Sequence, residues 1–370
     1  MIRTIACLVA VSLVVVLLAP AGAAAADASV QDECEYPLEL TDGTGETVTI
    51  EESPERVVTV MPSDAQKAFE IGADDRVVGA PDGPATQYLD LDDQEDVTEA
   101  DGFTVDAETV VGLEPDVVVA ASAADPELID QLRDLDLTVY QFPLEESVDD
   151  VVENLHTMGQ LTDECDGAAT TADWMDERLT LLEEAVADEE PPLTYYEMGD
   201  GFTAGEGTFQ HELLTIAGVE NLGAEAGIEG WDIVSEETVV DMDPEWFLYG
   251  DDFPESPIPE SLEETTAGQE GNEIVVNANF FSQPGPLVTY AIEEIVEEVH
   301  PEAYDGVADE IEALDAEYEA ADEDDADDDA DAGETEETDD GEGDDSLTGF
   351  GVPVAVGALL ALAGWFGRDR

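Results

Sequence analysis

Short apolar runs alternate with amphipathic stretches between Arg56 and about Pro301. Runs of this length that are rich in β-branched or aromatic residues predict strands covered on both faces. The predicted strands are Val57–Met61, Val77–Ala80, Val117–Ala120, Leu137–Tyr140, Leu193–Tyr196, Trp246–Tyr249 and Glu273–Val276. Because such strands alternate with helices, the pattern favours parallel α/β sheets. A turn at Met61-Pro62 leads into the first helix, for which Ser63 is the predicted N-cap.

Two helices in the middle of the chain separate these strands into two groups. One helix is predicted over Ser147–Leu161, and a longer one runs from Cys165 to about Ala187. Apolar residues recur in the longer helix at a spacing of three to four: Ala168, Ala172, Met175, Leu179, Leu182 and Val186. At ~1.5 Å per residue its length is on the order of 33 Å, which is about the span of a lobe. A last helix is predicted over Pro286–Val299.

The predicted fold class is therefore α/β, with two parallel-sheet lobes joined by a single long helix. The domain boundaries follow from the same pattern. They are an N-terminal segment (27–55), an N-terminal lobe (56–146), connecting helices (147–190), and a C-terminal lobe with the last helix (191–318).

The two predicted lobes share a repeated segment. Residues 105–116 read VDAETVVGLEPD and residues 234–245 read VSEETVVDMDPE, and each segment precedes an apolar strand. Both predict a polar cap, a short helix ended by proline, and a strand. We interpret the pair as an internal duplication of one α/β unit.

The two ends of the chain are typical of an exported and tethered protein. Residues 1–26 predict a secretory signal peptide, with a basic start, an apolar run and a small-residue cleavage site. Residues 347–370 predict a C-terminal membrane anchor or sorting signal, because a run of membrane-spanning length is followed by two arginines. The acidic residues 319–346 predict a disordered spacer between the last helix and the anchor.

The chain is strongly acidic, with 97 acidic and 8 basic residues and a net charge of -89. Such a surface repels the phosphates of nucleic acids, so a nucleic-acid partner is excluded. We interpret the charge as an adaptation to concentrated salt, because the Debye length falls to ~3 Å at 1 M. A polyanion that sequesters cations is the alternative interpretation.

Cys34 and Cys165 are the cysteines of the exported part. Cysteines outside the cell usually pair, which predicts a disulfide, whereas two buried free thiols are the alternative. A bridge that closes about 130 residues stabilises the fold by roughly 5 kcal/mol in the chain-entropy model.

Several ordered motifs resemble the periplasmic-binding family for iron-siderophores, haem and cobalamin. They are Arg56–Ser63 (RVVTVMPS), Ile71–Gly79 (IGADDRVVG) and Leu113–Val118 (LEPDVV). The resemblance covers about residues 38–305. It implies two α/β lobes, a rigid interlobe helix, a ligand cleft between the lobes, and delivery to an ABC permease and its ATPase. One glutamate on each lobe docks to the permease in that family, and Glu108 and Glu237 fall at those positions.

The C-terminal residues Thr348-Gly349-Phe350-Gly351 are similar to the archaeal Pro-Gly-Phe sorting signal, with Thr348 in place of proline. That resemblance implies anchoring to the outer face of the cell membrane, either as a retained span or through a lipid that replaces the tail.

The cleft of such a fold is lined by residues that follow the strands. Trp231 and the segment that follows the last strand also match cleft positions of the family. The predicted ligand-binding residues are Ser63, Asp64, Asp82, Ser122, Glu197, Phe202, Trp231, Asn279, Phe280 and Gln283. Trp231 and Phe280 are expected in loops, where their rings suit the apolar rim of a macrocycle or chelate; packing within a lobe is the alternative.

The charges of the predicted cleft loops and the spacing of the histidines limit the class of ligand that the protein is expected to bind. No arginine falls in a predicted cleft loop, so a neutral or cationic ligand is favoured over an anionic one. The three histidines are far apart, so no metal site of the protein's own is predicted, and no cofactor. The expected ligand is a corrinoid or a ferric siderophore, which brings its own cobalt or iron.

The sequence carries no nucleophile elbow, phosphate loop or zinc-protease motif, so we do not expect an enzyme. The predicted function is that of a monomeric solute-binding component of an ABC importer. A receptor for haem or another metal or oxyanion, and a cell-surface binding protein without a transport role, remain the alternatives.

Overall fold

The computed structural model describes residues 34–332, with side chains up to residue 320. The predicted signal peptide (1–26) and the predicted C-terminal anchor (347–370) lie outside the described residues. None of the helices in the described part of the chain is long and apolar enough to cross a membrane.

An N-terminal hairpin precedes the first lobe. Strands β1 (Leu38–Thr41) and β2 (Thr47–Ile50) pair in antiparallel register. Upstream of the hairpin, Cys34 forms the predicted disulfide with Cys165, with 5.7 Å between the two Cα atoms. The prediction of a bridge is therefore confirmed, and it ties the N-terminal segment to the first residue of the long helix.

The N-terminal lobe is a five-stranded parallel sheet in the order β5-β4-β3-β6-β7. Its strands are β3 (Val57–Thr59), β4 (Val77–Ala80), β5 (Glu95–Asp96), β6 (Val117–Ala120) and β7 (Val139–Gln141). Its helices are α1 (Pro62–Glu70), α2 (Ala107–Gly112) and α3 (Pro126–Asp134). Every residue of the central strands β3 and β6 is buried, as their continuous apolar sequence predicts.

Helix α1 begins two residues earlier than the predicted N-cap Ser63 implies. Pro62 occupies its first turn and Met61 is the N-cap, without a side-chain hydrogen bond. The ring of Pro62 fixes φ near the helical value, and the missing N–H has no partner to lose at that position. The prediction of Ser63 as the N-cap is therefore wrong.

Two long helices connect the lobes, as predicted. Helix α4 (Val148–Thr162) begins with a capping box in which Ser147 and Asp150 exchange side-chain and backbone hydrogen bonds. Helix α5 (Cys165–Val186) follows and packs along α4. The apolar residues that predicted α5 are buried, including Ala168, Met175 and Leu182.

The C-terminal lobe is a four-stranded parallel sheet in the order β10-β8-β12-β13, with a separate antiparallel pair of β9 and β11. Its strands are β8 (Leu193–Tyr196), β9 (Phe202–Ala204), β10 (Glu220–Asn221), β11 (Trp231–Ile233), β12 (Trp246–Gly250) and β13 (Glu273–Val276). Its helices are α6 (Phe209–Ile216), α7 (Leu222–Glu225), α8 (Glu236–Met242), α9 (Thr266–Glu270), α10 (Ala278–Ser282) and α11 (Val288–Val299). The predicted fold class, two parallel-sheet α/β lobes with a connecting long helix, is confirmed.

Two further helices, α12 (Pro301–Tyr304) and α13 (Ala308–Ala332), complete the described chain. Helix α13 is held against α5 by Tyr318, whose ring stacks on Trp174 at 4.7 Å between centroids. Buried Arg178 forms ion pairs with Glu293 of α11 and Asp315 of α13. The helix thus continues past residue 319, where the sequence predicted the spacer to begin, because alanine and glutamate favour helix and the first turns are packed.

The repeated segment has the same local geometry in both lobes. The N-caps Asp106 and Ser235 accept hydrogen bonds from the first turns of α2 and α8. At the other end, Glu114 and Asp243 adopt positive φ angles of 49° and 53°, each directly before a proline. The common cap and exit geometry supports the interpretation of an internal duplication.

Candidate ligand site between the lobes

The carboxyl ends of both parallel sheets carry the predicted ligand-binding residues. Ser63 and Asp64 follow β3, Asp82 follows β4 and Ser122 follows β6. In the other lobe Glu197 follows β8, and Asn279, Phe280 and Gln283 follow β13, whereas Phe202 and Trp231 lie in the separate pair of strands β9 and β11. Hydrogen bonds join the two edges, since Gln283 Nε2 donates to the carbonyl of Ala85 at 2.9 Å. The carboxyl edges of the two sheets therefore meet at this contact, which is where the family-type fold is expected to bind its ligand.

Strands β9 and β11 expose an apolar face in the C-terminal lobe. Ile233 pairs with Phe202 and Trp231 pairs with Ala204, so the side chains of all four point to one side of the ribbon. Trp231 is 48% exposed, Ile233 65% and Phe202 38%. Exposed large apolar side chains that cluster at a sheet edge are typical of a binding surface. We call this surface, formed by Phe202, Trp231 and Ile233, the apolar platform.

The sequence predicted that Trp231 and Phe280 lie in loops, and this prediction is wrong for both residues. Trp231 begins strand β11 and Phe280 lies in helix α10. Phe280 is half-buried and contacts Tyr88 of the other lobe edge-to-face, with centroids 5.3 Å apart. The pairing of β11 with β9 spans residues distant in sequence, which is why local turn residues around Trp231 suggested a loop.

Two exposed apolar residues of the N-terminal lobe, Phe103 and Leu144, were not among the predicted site residues. Phe103 is 79% exposed in a loop whose Gly102 lies close to Gly83, just after β4. Leu144 is 59% exposed and follows β7. Both lie on segments at the carboxyl edge of their sheet. The sequence signal for Phe103 was its place beside the Asp101-Gly102 turn. An aromatic side chain in such a turn has no adjacent helix or strand through which it would be buried in the core.

Asp64 lies inside the lobe and not on the cleft surface. Its side chain is fully buried, and its Oδ2 accepts a hydrogen bond from the backbone N–H of Ala121 at 2.7 Å. Burial raises the pKa of Asp64 to about 7, an effect that Lys67 opposes and Glu145 reinforces. Asp64 therefore fixes the loop after β6, and the prediction that it lines the cleft is wrong.

Glu197 is also buried, at 1% exposure. One carboxylate oxygen accepts hydrogen bonds from the N–H groups of Gly199 and Gly201 at 2.8 and 2.9 Å, and the other accepts from the Tyr195 hydroxyl. Asp200, between those glycines, has a positive φ of 54°. The carboxylate thus organises the turn that leads into β9. Its role is to place Phe202, and the predicted direct ligand contact is wrong for this buried residue.

Each basic side chain in the described part of the chain has an acidic or carbonyl partner. Arg56 donates to the carbonyl of Leu113, Arg76 pairs with Glu164, and Arg133 pairs with Asp42. Arg178 pairs with two carboxylates, as described above. Lys67, on α1, is buried, and its Nζ lies 2.6 Å from Glu145 Oε1. The cleft edges therefore offer an anion no exposed cation from among these residues.

Glu108 and Glu237 occupy the same position in the two copies of the repeat. Each is the second residue of its helix, α2 or α8, and each is exposed. Because these helices run antiparallel to the strands they precede, their first turns lie toward the carboxyl edges of the sheets. Two matched, exposed carboxylates thus lie toward the carboxyl edges of the two sheets.

Among the described residues, no three His, Cys, Asp or Glu side chains are grouped so as to hold a metal ion. His211 contacts the side-chain amide of Asn221, and His300 contacts the carbonyl of Gly218. Those two histidines are engaged within the C-terminal lobe.

Comparison with known proteins shows which family and which relatives this chain is similar to. Residues 57–271 match the periplasmic binding protein family. A cobalamin-binding protein of Halobacterium salinarum is 35% identical over 312 residues, which cover 80% of this chain and 84% of that protein. A vitamin B12-binding protein of Yersinia pestis is 26% identical over 202 residues, covering 52% of this chain and 69% of that protein.

Solved structures share the fold. Helicobacter pylori CeuE, in a complex with Ni-His, has a TM-score of 0.63 at 20% identity, covering 76% of this chain and 93% of that one. The molybdate-binding protein MolA of Haemophilus influenzae has a TM-score of 0.62 at 18% identity, covering 76% of this chain and 96% of that one. At these identities the likeness establishes the two-lobed architecture.

Proposed function

Because the chain belongs to the periplasmic binding protein family, we propose that it is the extracytoplasmic solute-binding component of an ABC importer and that its ligand is a corrinoid. The ligand binds between the carboxyl edges of the two sheets, and the loaded protein delivers it to a permease and its ATPase. Tethering to the outer face of the membrane through residues 347–370 belongs to the same proposal.

The observation that carries the choice of ligand is the apolar platform together with the pairing of the basic residues. A planar macrocycle has an apolar rim that can cover exposed Trp231 and Ile233, and burying that area is favourable. An anionic chelate or oxyanion needs arginine or lysine donors, which the cleft edges lack among the described residues. The cobalamin-binding relative from Halobacterium supports the same class of ligand.

We assign docking to Glu108 and Glu237. In support, the two glutamates are exposed, occupy matched positions in the duplicated unit and lie one on each lobe. A permease with basic residues on its outer face complements this pair. Two separated contacts fix the orientation of the binding protein on its partner, which a single contact would leave free to rotate.

The proposal is tested by equilibrium dialysis of the purified protein in molar salt against cyanocobalamin, cobinamide, a ferric hydroxamate, haem and molybdate. Saturable binding of a corrinoid, with no binding of the others, is the expected result. Binding of the ferric hydroxamate alone would make this an iron receptor. Binding of haem or molybdate alone would refute both the corrinoid assignment and the charge argument.

A further inference from the structure

A chain of hydrogen bonds crosses from one lobe to the other beside the cleft. Gln66 of α1 donates through Nε2 to the Tyr88 hydroxyl at 2.8 Å, and that hydroxyl donates to Gln283 Oε1 at 2.9 Å. Gln66 and Tyr88 belong to the N-terminal lobe, and Gln283 follows α10 in the C-terminal lobe. We call Gln66, Tyr88 and Gln283 the interlobe clasp.

Further contacts surround the clasp at the same edge. Gln283 Nε2 donates to the carbonyl of Ala85 at 2.9 Å, and Asn279 Nδ2 donates to the carbonyl of Pro84 at 3.2 Å. The backbone N–H of Leu287 donates to Gln66 Oε1 at 3.3 Å. Side chains of segment 279–287 thus donate to backbone carbonyls of segment 84–88, while the backbone of Leu287 donates to the side chain of Gln66 in α1. These bonds fix the separation of the segments as well as their orientation.

The lobes also approach each other closely at Gly285. A Cβ atom at this position would lie 2.1 Å from Gln66 Oε1, well inside van der Waals contact. The absence of a side chain at Gly285 lets the backbone pass the Gln66 amide and continue into α11. The clasp therefore depends on backbone shape as well as on its polar groups.

The polar groups of the clasp all have hydrogen-bond partners, either within the clasp or in the backbone of Ala85 and Leu287. Gln66 is completely buried and Gln283 is 9% exposed. Both ends of each amide have partners, so rotation of either amide would lose hydrogen bonds. Burial raises the pKa of Tyr88 to about 12, so its hydroxyl remains protonated and able to donate at neutral pH. A ligand would have to break this network in order to bind Gln283, and for this reason Gln283 acts as a structural partner of Tyr88.

We propose that the interlobe clasp is a positioning device that holds α10 against the N-terminal lobe and thereby sets the width of the ligand cleft. It acts as a second junction between the lobes, in addition to α4 and α5. Its effect on ligand exchange rests on the proposed function, but its effect on lobe position does not. In this assignment Asn279, Phe280 and Gln283 shape the cleft through the clasp.

The test replaces the central hydroxyl. Tyr88→Phe keeps the ring contact with Phe280 but removes both hydrogen bonds of the hydroxyl, and Gln283→Leu removes the opposite end. Tyr36→Phe is the matched control, because the Tyr36 hydroxyl donates at 2.8 Å to the Gln160 carbonyl and does not bridge the two sheets. Amide hydrogen exchange of the ligand-free protein is followed by mass spectrometry.

Both clasp variants should accelerate exchange about 10-fold in segments 84–88 and 279–287 only, since two hydrogen bonds of ordinary net strength are lost or left unpaired. Unchanged exchange in Tyr88→Phe and Gln283→Leu would overturn the proposal. Faster amide exchange along the whole chain would also overturn the proposal. So would an equal acceleration of exchange in segments 84–88 and 279–287 by Tyr36→Phe, because either result indicates general destabilisation. If Tyr88→Phe fails to fold, Gln283→Leu decides.

A second readout separates this inference from the proposed function. Dissociation of cyanocobalamin from Tyr88→Phe should be about 10-fold faster than from the wild-type protein, because the open arrangement becomes more populated. If the wild-type protein binds no corrinoid, the ligand assignment fails while the exchange measurements still decide the role of the clasp. Unchanged dissociation together with faster exchange would refute the control of cleft width.

Discussion

Replacing Trp231 by alanine should weaken ligand binding without weakening the fold. A buried aromatic side chain covers roughly 150–250 Å², and 48% of Trp231 is exposed in the ligand-free protein. A ligand that covers the exposed part therefore removes on the order of 100 Å² from water, which is about 2.5 kcal/mol at ~25 cal/mol per Å². That free energy corresponds to roughly a 70-fold rise in Kd as an upper limit, and partial coverage lowers it to about 10-fold.

Equilibrium dialysis against cyanocobalamin measures this change without relying on tryptophan fluorescence. Leu135→Ala is the matched control, because Leu135 is also 48% exposed but lies at the C-terminal end of α3, away from the cleft. Trp231→Phe should keep most of the affinity, since a ring remains on the platform. A Kd for Trp231→Ala within twofold of the wild-type value, in a protein with unchanged circular dichroism, would remove Trp231 from the ligand site.

Three further changes test docking and stability. Glu108→Lys combined with Glu237→Lys should abolish ligand uptake in cells while leaving the Kd of the purified protein unchanged, because both carboxylates are exposed outside the cleft. Replacing Cys34 and Cys165 by serine should lower the free energy of unfolding, measured in urea, by up to about 5 kcal/mol, since the bridge closes a sequence separation of 131. Asp64→Asn should stabilise the protein more at pH 8 than at pH 4. The pKa of Asp64 is raised from 3.8 to about 7 in the folded state, so ionisation costs the wild-type fold stability as pH rises through this window.

Each of these predictions has an outcome that contradicts it. Loss of ligand affinity in the double lysine variant would show that the glutamates act in the cleft. An unfolding midpoint unaffected by the serine substitutions would mean that the bridge does not limit the unfolded chain. For Asp64→Asn, a stability difference from wild type that is the same at pH 4 and pH 8 would exclude a raised pKa of that carboxyl.

The sequence predicted best those elements whose signals are local. Helix α5 was predicted from Cys165 to about Ala187 and runs to Val186, because its apolar spacing is a signal within the segment itself. The valine-rich strand β6 was predicted at its observed bounds for the same reason. The disulfide was predicted from compartment and cysteine count, without knowledge of geometry.

Features set by contacts between distant residues were not predictable in this way. Asp64 and Glu197 follow strands, as ligand-binding residues do, but packing around them decides that they are buried. Trp231 belongs to a strand only because β9 supplies its partner. Tyr88 and Gln283 are separated by 195 positions, and neither segment signals the other. Local pattern therefore located the carboxyl ends of the strands, while the fold was required to tell exposed from buried side chains among the residues that follow them.

The absence of a side chain at Gly285 has a practical consequence for experiments that compare the protein with and without the interlobe clasp. One methyl group there, in Gly285→Ala, cannot coexist with the Gln66 amide in its present place. The substitution should displace the Gln66 amide and break its hydrogen bond to Tyr88, without changing any of the predicted ligand-binding residues. Paired with the native protein, it offers crystallographers and spectroscopists two forms of the same chain that differ in whether this link between the lobes can form.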